Sequence, residues 1–222
     1  MRHAFLRLAP LAIMLFAGNA DALSFRADFV SSNYQTQTGD TFSDLLLEHQ
    51  SGSLIRSTVT TGLDNISTAV YAAGVTSNYS ILLTTSFQVA VAGTYTFQVG
   101  TDWGRGGAAA LLDGTTGSVL SEQVTTDDLW WNNNWSNPDV FTTTATFAVG
   151  DSVTLAWVGF EGCCGGSSTI RFSANGSVYQ NLNATSFQPY SAITPIPEPS
   201  TAFLSCLGLI GLAWVGGRKR GA

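Results

Sequence analysis

A two-residue period dominates the middle of this chain. Phe87, Val89 and Val91 alternate with Ser86, Gln88 and Ala90, and after Ala92-Gly93 the period resumes at Tyr95, Phe97 and Val99. Successive side chains of a strand point to opposite faces, so such a pattern buries one face and wets the other. The same design runs over 141–149, breaks at Gly150-Asp151 and resumes at Val153, Leu155 and Trp157. Each of the two segments reads as a hairpin. On the last strand the intervening Ala156, Val158 and Phe160 are apolar too, which predicts burial on both faces. Ile170 and Phe172 alternate with Arg171 and Ser173 ahead of Asn175-Gly176, and Asp113-Gly114 is a second hairpin-turn dipeptide. Helical periodicity is confined to 41–49. Many short strands with Gly and Asn turns predict an all-β fold, a jelly-roll-like β-sandwich.

Charge on this framework is sparse and one-sided. Charged residues make up 11% of the 222-residue chain, where about 25% is usual. Between 23 and 194 stand 13 acidic residues against four arginines, Arg26, Arg56, Arg105 and Arg171. No basic stripe exists to neutralise phosphates, which excludes nucleic acid as a partner. The acidity also disfavours anionic lipid while admitting divalent cations. A hydrophobic content of 45% supplies a buried core and excludes a disordered chain.

The two ends carry an address. Arg2 and Arg7 flank the start of an apolar run over 8–17, followed by the small-residue pattern Ala20-Asp21-Ala22. This is the layout of a secretory leader over 1–22, removed by signal peptidase. At the other end an apolar run over 201–217 precedes Arg218-Lys219-Arg220. As a helix it reaches about 26 Å, enough to cross a bilayer with snorkelling basic ends. The basic cluster stays cytoplasmic, which puts everything before it outside the inner membrane. The organisation expected is a leader over 1–22, a sandwich domain over 23–185, a proline-containing stalk over 186–199, a membrane helix over 200–217 and a basic tail over 218–222.

Immediately before that helix stands Ile196-Pro197-Glu198-Pro199-Ser200. Pro-Glu-Pro, an apolar helix and a basic terminus in that order resemble the PEP-CTERM sorting signal of exosortase substrates in Gram-negative bacteria. The resemblance covers about the last 27 residues. It implies that an exosortase recognises Pro197, Glu198 and Pro199 and removes the tail with Arg218, Lys219 and Arg220. The two prolines disfavour helix and hold the motif extended, which suits a protease cleft.

Cys163 and Cys164 are adjacent between Gly162 and Gly165-Gly166. In an exported protein they can close on each other and stiffen a turn, the glycines supplying the backbone angles. Free thiols, intermolecular bridges and a thiolate metal site are the other readings, though no further Cys or nearby His completes a metal set. Cys206 belongs to the membrane run. The segment also resembles the signature of the CCXG family of PEP-CTERM proteins. Residues 93–114, with Asp102 after a strand and Asp113-Gly114 at the end of the next, resemble a protective-antigen-type carbohydrate-binding sandwich. That resemblance implies Asp102 as a calcium ligand, and Trp103 stands where the second acid is usual.

The most distinctive segment is 127–139, where Trp130, Trp131 and Trp135 stand among Asn132, Asn134 and several Asp. Aromatic faces on a loop stack on sugar rings while amides and carboxylates take hydroxyls. The bland reading is that the indoles plug a sandwich edge and the Asn and Asp residues shape turns. Catalysis finds little footing. His49, read as lying in a surface segment, is the only histidine after the leader, and no nucleophile elbow is present. Asp127-Asp128 is a carboxylate pair only by adjacency. The expected protein is a non-catalytic cell-envelope or matrix component contacting extracellular polysaccharide. The rivals are a secreted polysaccharide hydrolase and a structural protein without a specific ligand. Protein recovered from its host without reductant is expected to have the intact mass of a chain from Leu23 to the neighbourhood of Pro199. It should weigh about 2 Da less than after reduction, which a Cys163–Cys164 bond requires and free thiols forbid.

Overall fold

The computed structural model describes residues 23–72 and 75–192. In chain order its strands are β1 (Phe25–Ser31), β2 (Ser53–Thr60), β3 (Ile66–Ser67), β4 (Tyr79–Val89), β5 (Gly93–Trp103), β6 (Gly107–Asp113) and β7 (Val119–Thr125). They continue with β8 (Leu129–Trp130), β9 (Phe141–Phe147), β10 (Ser152–Glu161), β11 (Ser167–Ala174), β12 (Gln180–Asn181) and β13 (Ser191–Ala192). Three helices accompany them, α1 (Phe42–Ser51), α2 (Thr68–Tyr71) and α3 (Ala184–Phe187). The leader, the Pro-Glu-Pro motif, the apolar run and the basic tail lie outside the described residues.

Two antiparallel sheets form the sandwich. The first runs β2-β1-β4-β10-β6-β7, with β13 also on β4. The second runs β12-β11-β5-β8, with β3 on β11 and β9 on β5. The two alternating segments become strands, but neither is a hairpin. β4 pairs with β10 in one sheet, and β5 pairs with β9 in the other. Ala90-Val91-Ala92 and Ala148–Asp151 are therefore arches that carry the chain from sheet to sheet. Period-two alternation looks the same in either case, because both partners of an arch, like both partners of a hairpin, turn one face to the core. Asp113-Gly114 does lie in the turn joining the paired strands β6 and β7, and Asn175-Gly176 in the turn between β11 and β12. Asn175 and Gly176 adopt the left-handed backbone that such turns require, at φ 54° and 73°.

Aromatic rings fill the space between the sheets. Phe25, Phe29, Tyr79, Tyr95, Phe97, Trp103, Phe141, Trp157 and Phe172 are all buried in a single cluster. Phe187 of α3 joins them, 4.7 Å from both Phe87 and Phe172. The folded body thus extends through β13, past the boundary at 185 expected from the polar residues that follow. One inward aromatic on a short turn of helix, capped by Asn183, leaves no periodic trace.

α1 explains the double-sided burial of β10. Thr41 caps it in a reciprocal capping box with Asp44, and Phe42, Leu45 and His49 form its buried face. That face packs on Ala108 and Ala110 of β6 and on Ala156, Val158 and Phe160 of β10, on the side of the sheet away from the main core. The small alanines let the helix approach closely. His49, expected at the surface, is 3% exposed and its Nδ1 lies 2.8 Å from Ser80 Oγ. Burial pushes its pKa down from 6.5 to about 4, opposed only in part by the Asp28 carboxylate. His49 is therefore neutral in the fold and protonates more readily once unfolded. Its contribution to stability is complete above pH 6.5 and is lost as pH falls to about 4, amounting to about 3 kcal/mol. Urea titrations across this window should show the wild type losing that much relative to His49→Gln, and parallel pH profiles would remove His49 as the cause.

Candidate ligand-binding cleft

The end of β5 builds the site. Gly100 is backbone only because the Trp131 indole lies directly on it, and an added Cβ would collide with that ring. Trp131 is consequently 5% exposed. Its neighbour Trp130 pairs with Asp102 through β8 and stands 64% exposed. Trp135 folds back on Trp131 at 4.5 Å between ring centroids. The three indoles thus divide: Trp131 is an anchor, Trp135 is half-buried against it, and Trp130 is free.

Local hydrogen bonds shape the rest of this loop. Asn134 Oδ1 accepts from Ser136 N, Asn137 Nδ2 donates to the Trp130 carbonyl, and Asp139 accepts from Trp130 N. These groups make turns, as Asn and Asp commonly do. Asn132 and Asn133, at φ 47° and 57°, hold the left-handed corner, and their side chains remain exposed.

Beside Trp130 opens a cleft of about 350 Å³. Asn132, Asn133 and Asp102 line it, together with Asp64, Asn65, Ser167 and Thr169 from distant segments. Thr169 Oγ1 donates to Asp64 Oδ1 and accepts from Asn65 N, which ties the loop before β3 to β11. None of these last four residues was singled out by local pattern. The register of β11 against β3 and β5 brings them in, and the Asp64-Asn65 turn dipeptide was the single local hint.

Charge at the cleft end of the sandwich is concentrated and partly spent. Desolvation first, then the Glu161 and Asp128 carboxylates, raise the pKa of Asp102. Glu161 is 4% exposed and accepts from three backbone amides, Gly104, Gly162 and Cys163. It therefore ties the turn after β5 to the cysteine turn. Trp103 contributes no oxygen, since its ring is buried and its Nε1 donates to the Ser167 carbonyl and Ser168 Oγ. Among the described residues no three His, Cys, Asp or Glu groups converge as metal ligands. Asp127 and Asp128 are both exposed on the approach to β8. The sulfurs of Cys163 and Cys164 are paired across one peptide bond. Cys164 at φ 73° and Gly165 at φ 84° carry the unusual backbone of that turn.

Residues 195–220 match the PEP-CTERM protein-sorting motif. No curated protein matches the chain in sequence. Among solved structures, the PA14 sugar-binding domain from an RTX adhesin is 12% identical with a TM-score of 0.47, covering 78% of this chain and 99% of its own. The A domain of epithelial adhesin 9 from Candida glabrata, solved with Galβ1-3GlcNAc, is 9% identical with a TM-score of 0.49, covering 80% and 92%. The PA14 domain of the antifreeze protein MpAFP is 15% identical with a TM-score of 0.47, covering 75% and 89%.

The division among the indoles has a measurable consequence. Trp131→Ala should cost about 3 kcal/mol or more in urea unfolding, while Trp130→Ala should stay within about 0.5 kcal/mol of wild type.

Proposed function

We propose that this protein is an exported, exosortase-processed component of the cell envelope or extracellular matrix, and that its sandwich is a non-catalytic module binding extracellular polysaccharide. The sorting motif over 195–220 supports the export and processing. The observation that carries the binding is the exposed Trp130 indole standing beside a cleft walled by amides, hydroxyls and carboxylates. A flat aromatic face covers the apolar side of a sugar ring, and the side chains of Asn132, Asn133 and Asp102 offer donors and acceptors to its hydroxyls. Residues 193–199 and the apolar run beyond them serve, in this reading, as stalk and temporary membrane anchor, and the cysteine turn serves as a rigid support for the loops around the cleft.

The test is affinity electrophoresis of the processed protein in gels containing the producing bacterium's own extracellular polysaccharide. Trp130→Ala and an Asn132→Gly/Asn133→Gly double variant, in which glycine keeps the left-handed backbone, should each weaken retardation at least about tenfold at unchanged stability. Wild-type retention by both variants would overturn the reading. Shortening of the polymer that disappears in Asp102→Asn would make the protein a hydrolase instead.

A further inference from the structure

One arginine of the domain is held unlike the other three. Arg26 pairs with Asp28, the single ion pair among the described residues, Arg105 donates to Asn78, and Arg56 lies exposed on an edge strand. Arg171 sits on the outer face of β11, its guanidinium 4.1 Å from the Trp135 ring centroid and 4.4 Å from that of Tyr179. Its Nε donates to Gln98 Oε1 at 2.8 Å, across the β11–β5 register. With two rings against the guanidinium and Nε engaged, the side chain is locked, yet no described residue accepts from its Nη edge and no carboxylate pairs with it.

This arrangement runs against the charge of the domain. Thirteen acidic residues stand against four arginines between 23 and 194, and no described carboxylate pairs with the immobilised Arg171. On its face the carboxylates stand toward the cleft, where Asp64 accepts from Thr169 and Asp102 lies near the end of β5. The neighbours of Arg171 are rows of paired neutral side chains, Thr94 with Thr146, Thr96 with Thr144 and Gln98 with Thr142. Stacking strips water from the guanidinium planes and removes rotamer freedom, while the open edge keeps the fork that matches a carboxylate. The cleft comes near this point. Thr169, on its wall, lies two residues before Arg171 on the same strand, about 7 Å away, and Trp135 links Arg171 to Trp131.

We propose that the Nη edge of Arg171 binds the carboxylate of an acidic sugar unit, so that the polymer taken by the cleft is a uronate-type anionic polysaccharide running from Trp130 onto the outer face of β11, β5 and β9. This rests on the polysaccharide reading above and narrows its ligand to an acidic one. Anchoring of the tryptophan loop alone accounts for the stack and the Gln98 bond but not for the unused edge.

The experiment compares polygalacturonate with the same polymer after its carboxyls are reduced to primary alcohols, titrated into the processed protein. The wild type should bind the acidic polymer at least about tenfold tighter, against the repulsion of an acidic domain, and added salt should erode that preference. Arg171→Gln should bring the preference close to unity, and Arg171→Lys should keep part of it as a point charge without the fork. Equal wild-type affinity for both polymers, binding to neither, or a preference surviving in Arg171→Gln each overturns the assignment. Should Arg171→Gln fail to fold, the salt titration of the wild type decides, since a salt-insensitive preference also overturns it. Failure of the cleft reading looks different: Trp130→Ala would then leave binding of both polymers unchanged.

Discussion

One buried hydroxyl joins the parts on which the cleft depends. Ser168 Oγ of β11 accepts from Trp103 Nε1 of β5 at 2.9 Å and from Trp157 Nε1 of β10 at 3.2 Å, with Thr101 Oγ1 3.2 Å away. Trp103 and Trp157 are fully buried, and they belong to opposite sheets. An indole N–H shut away from water without an acceptor costs about 1–3 kcal/mol, so the Trp157 side of this junction favours one way for the sheets to meet. Alternation then sends Ser167 and Thr169, the neighbours of Ser168, to the opposite face, where both line the cleft. The same period places Arg171 further along that face. Position at the surface is thus set by a contact in the interior.

Around this junction the end of the sandwich is closed by backbone satisfaction rather than by mass. Glu161, at the end of β10, is a buried carboxylate surrounded by amides from two turns, so its charge organises the loops instead of confronting solvent. Gly166 N donates to Tyr79 Oη, which fastens the cysteine turn to β4. These bonds leave Trp130, Asn132 and Asn133 as the exposed, unspent groups of the tryptophan loop. Within one short segment, the residues that hold the loop and those left exposed are different.

Much of the architecture was readable in one dimension. Alternation found the long strands, Asp113-Gly114 and Asn175-Gly176 found two turns, and the apolar second face of β10 foretold a covering element, which is α1. The pairing of those strands was not readable. An arch and a hairpin present the same period, and only the crosswise bonding of β4 to β10 and β5 to β9 separates them. His49 and Phe187 were misplaced for a related reason, since one buried side chain on a short helix has no repeat to reveal it.

The site divides along the same line. Composition and short-range order set the residue types available, an acidic and charge-poor domain with a tryptophan-asparagine loop and a terminal sorting motif. Tertiary structure alone decided which indole is free, since Gly100 lies beneath Trp131 and not beneath Trp130. It also brought Asp64 and Asn65 to Thr169, and set Arg171 between Trp135 and Tyr179. Those meetings join residues far apart along the chain, and strand register, fixed by burial of the aromatic core, is what makes them neighbours.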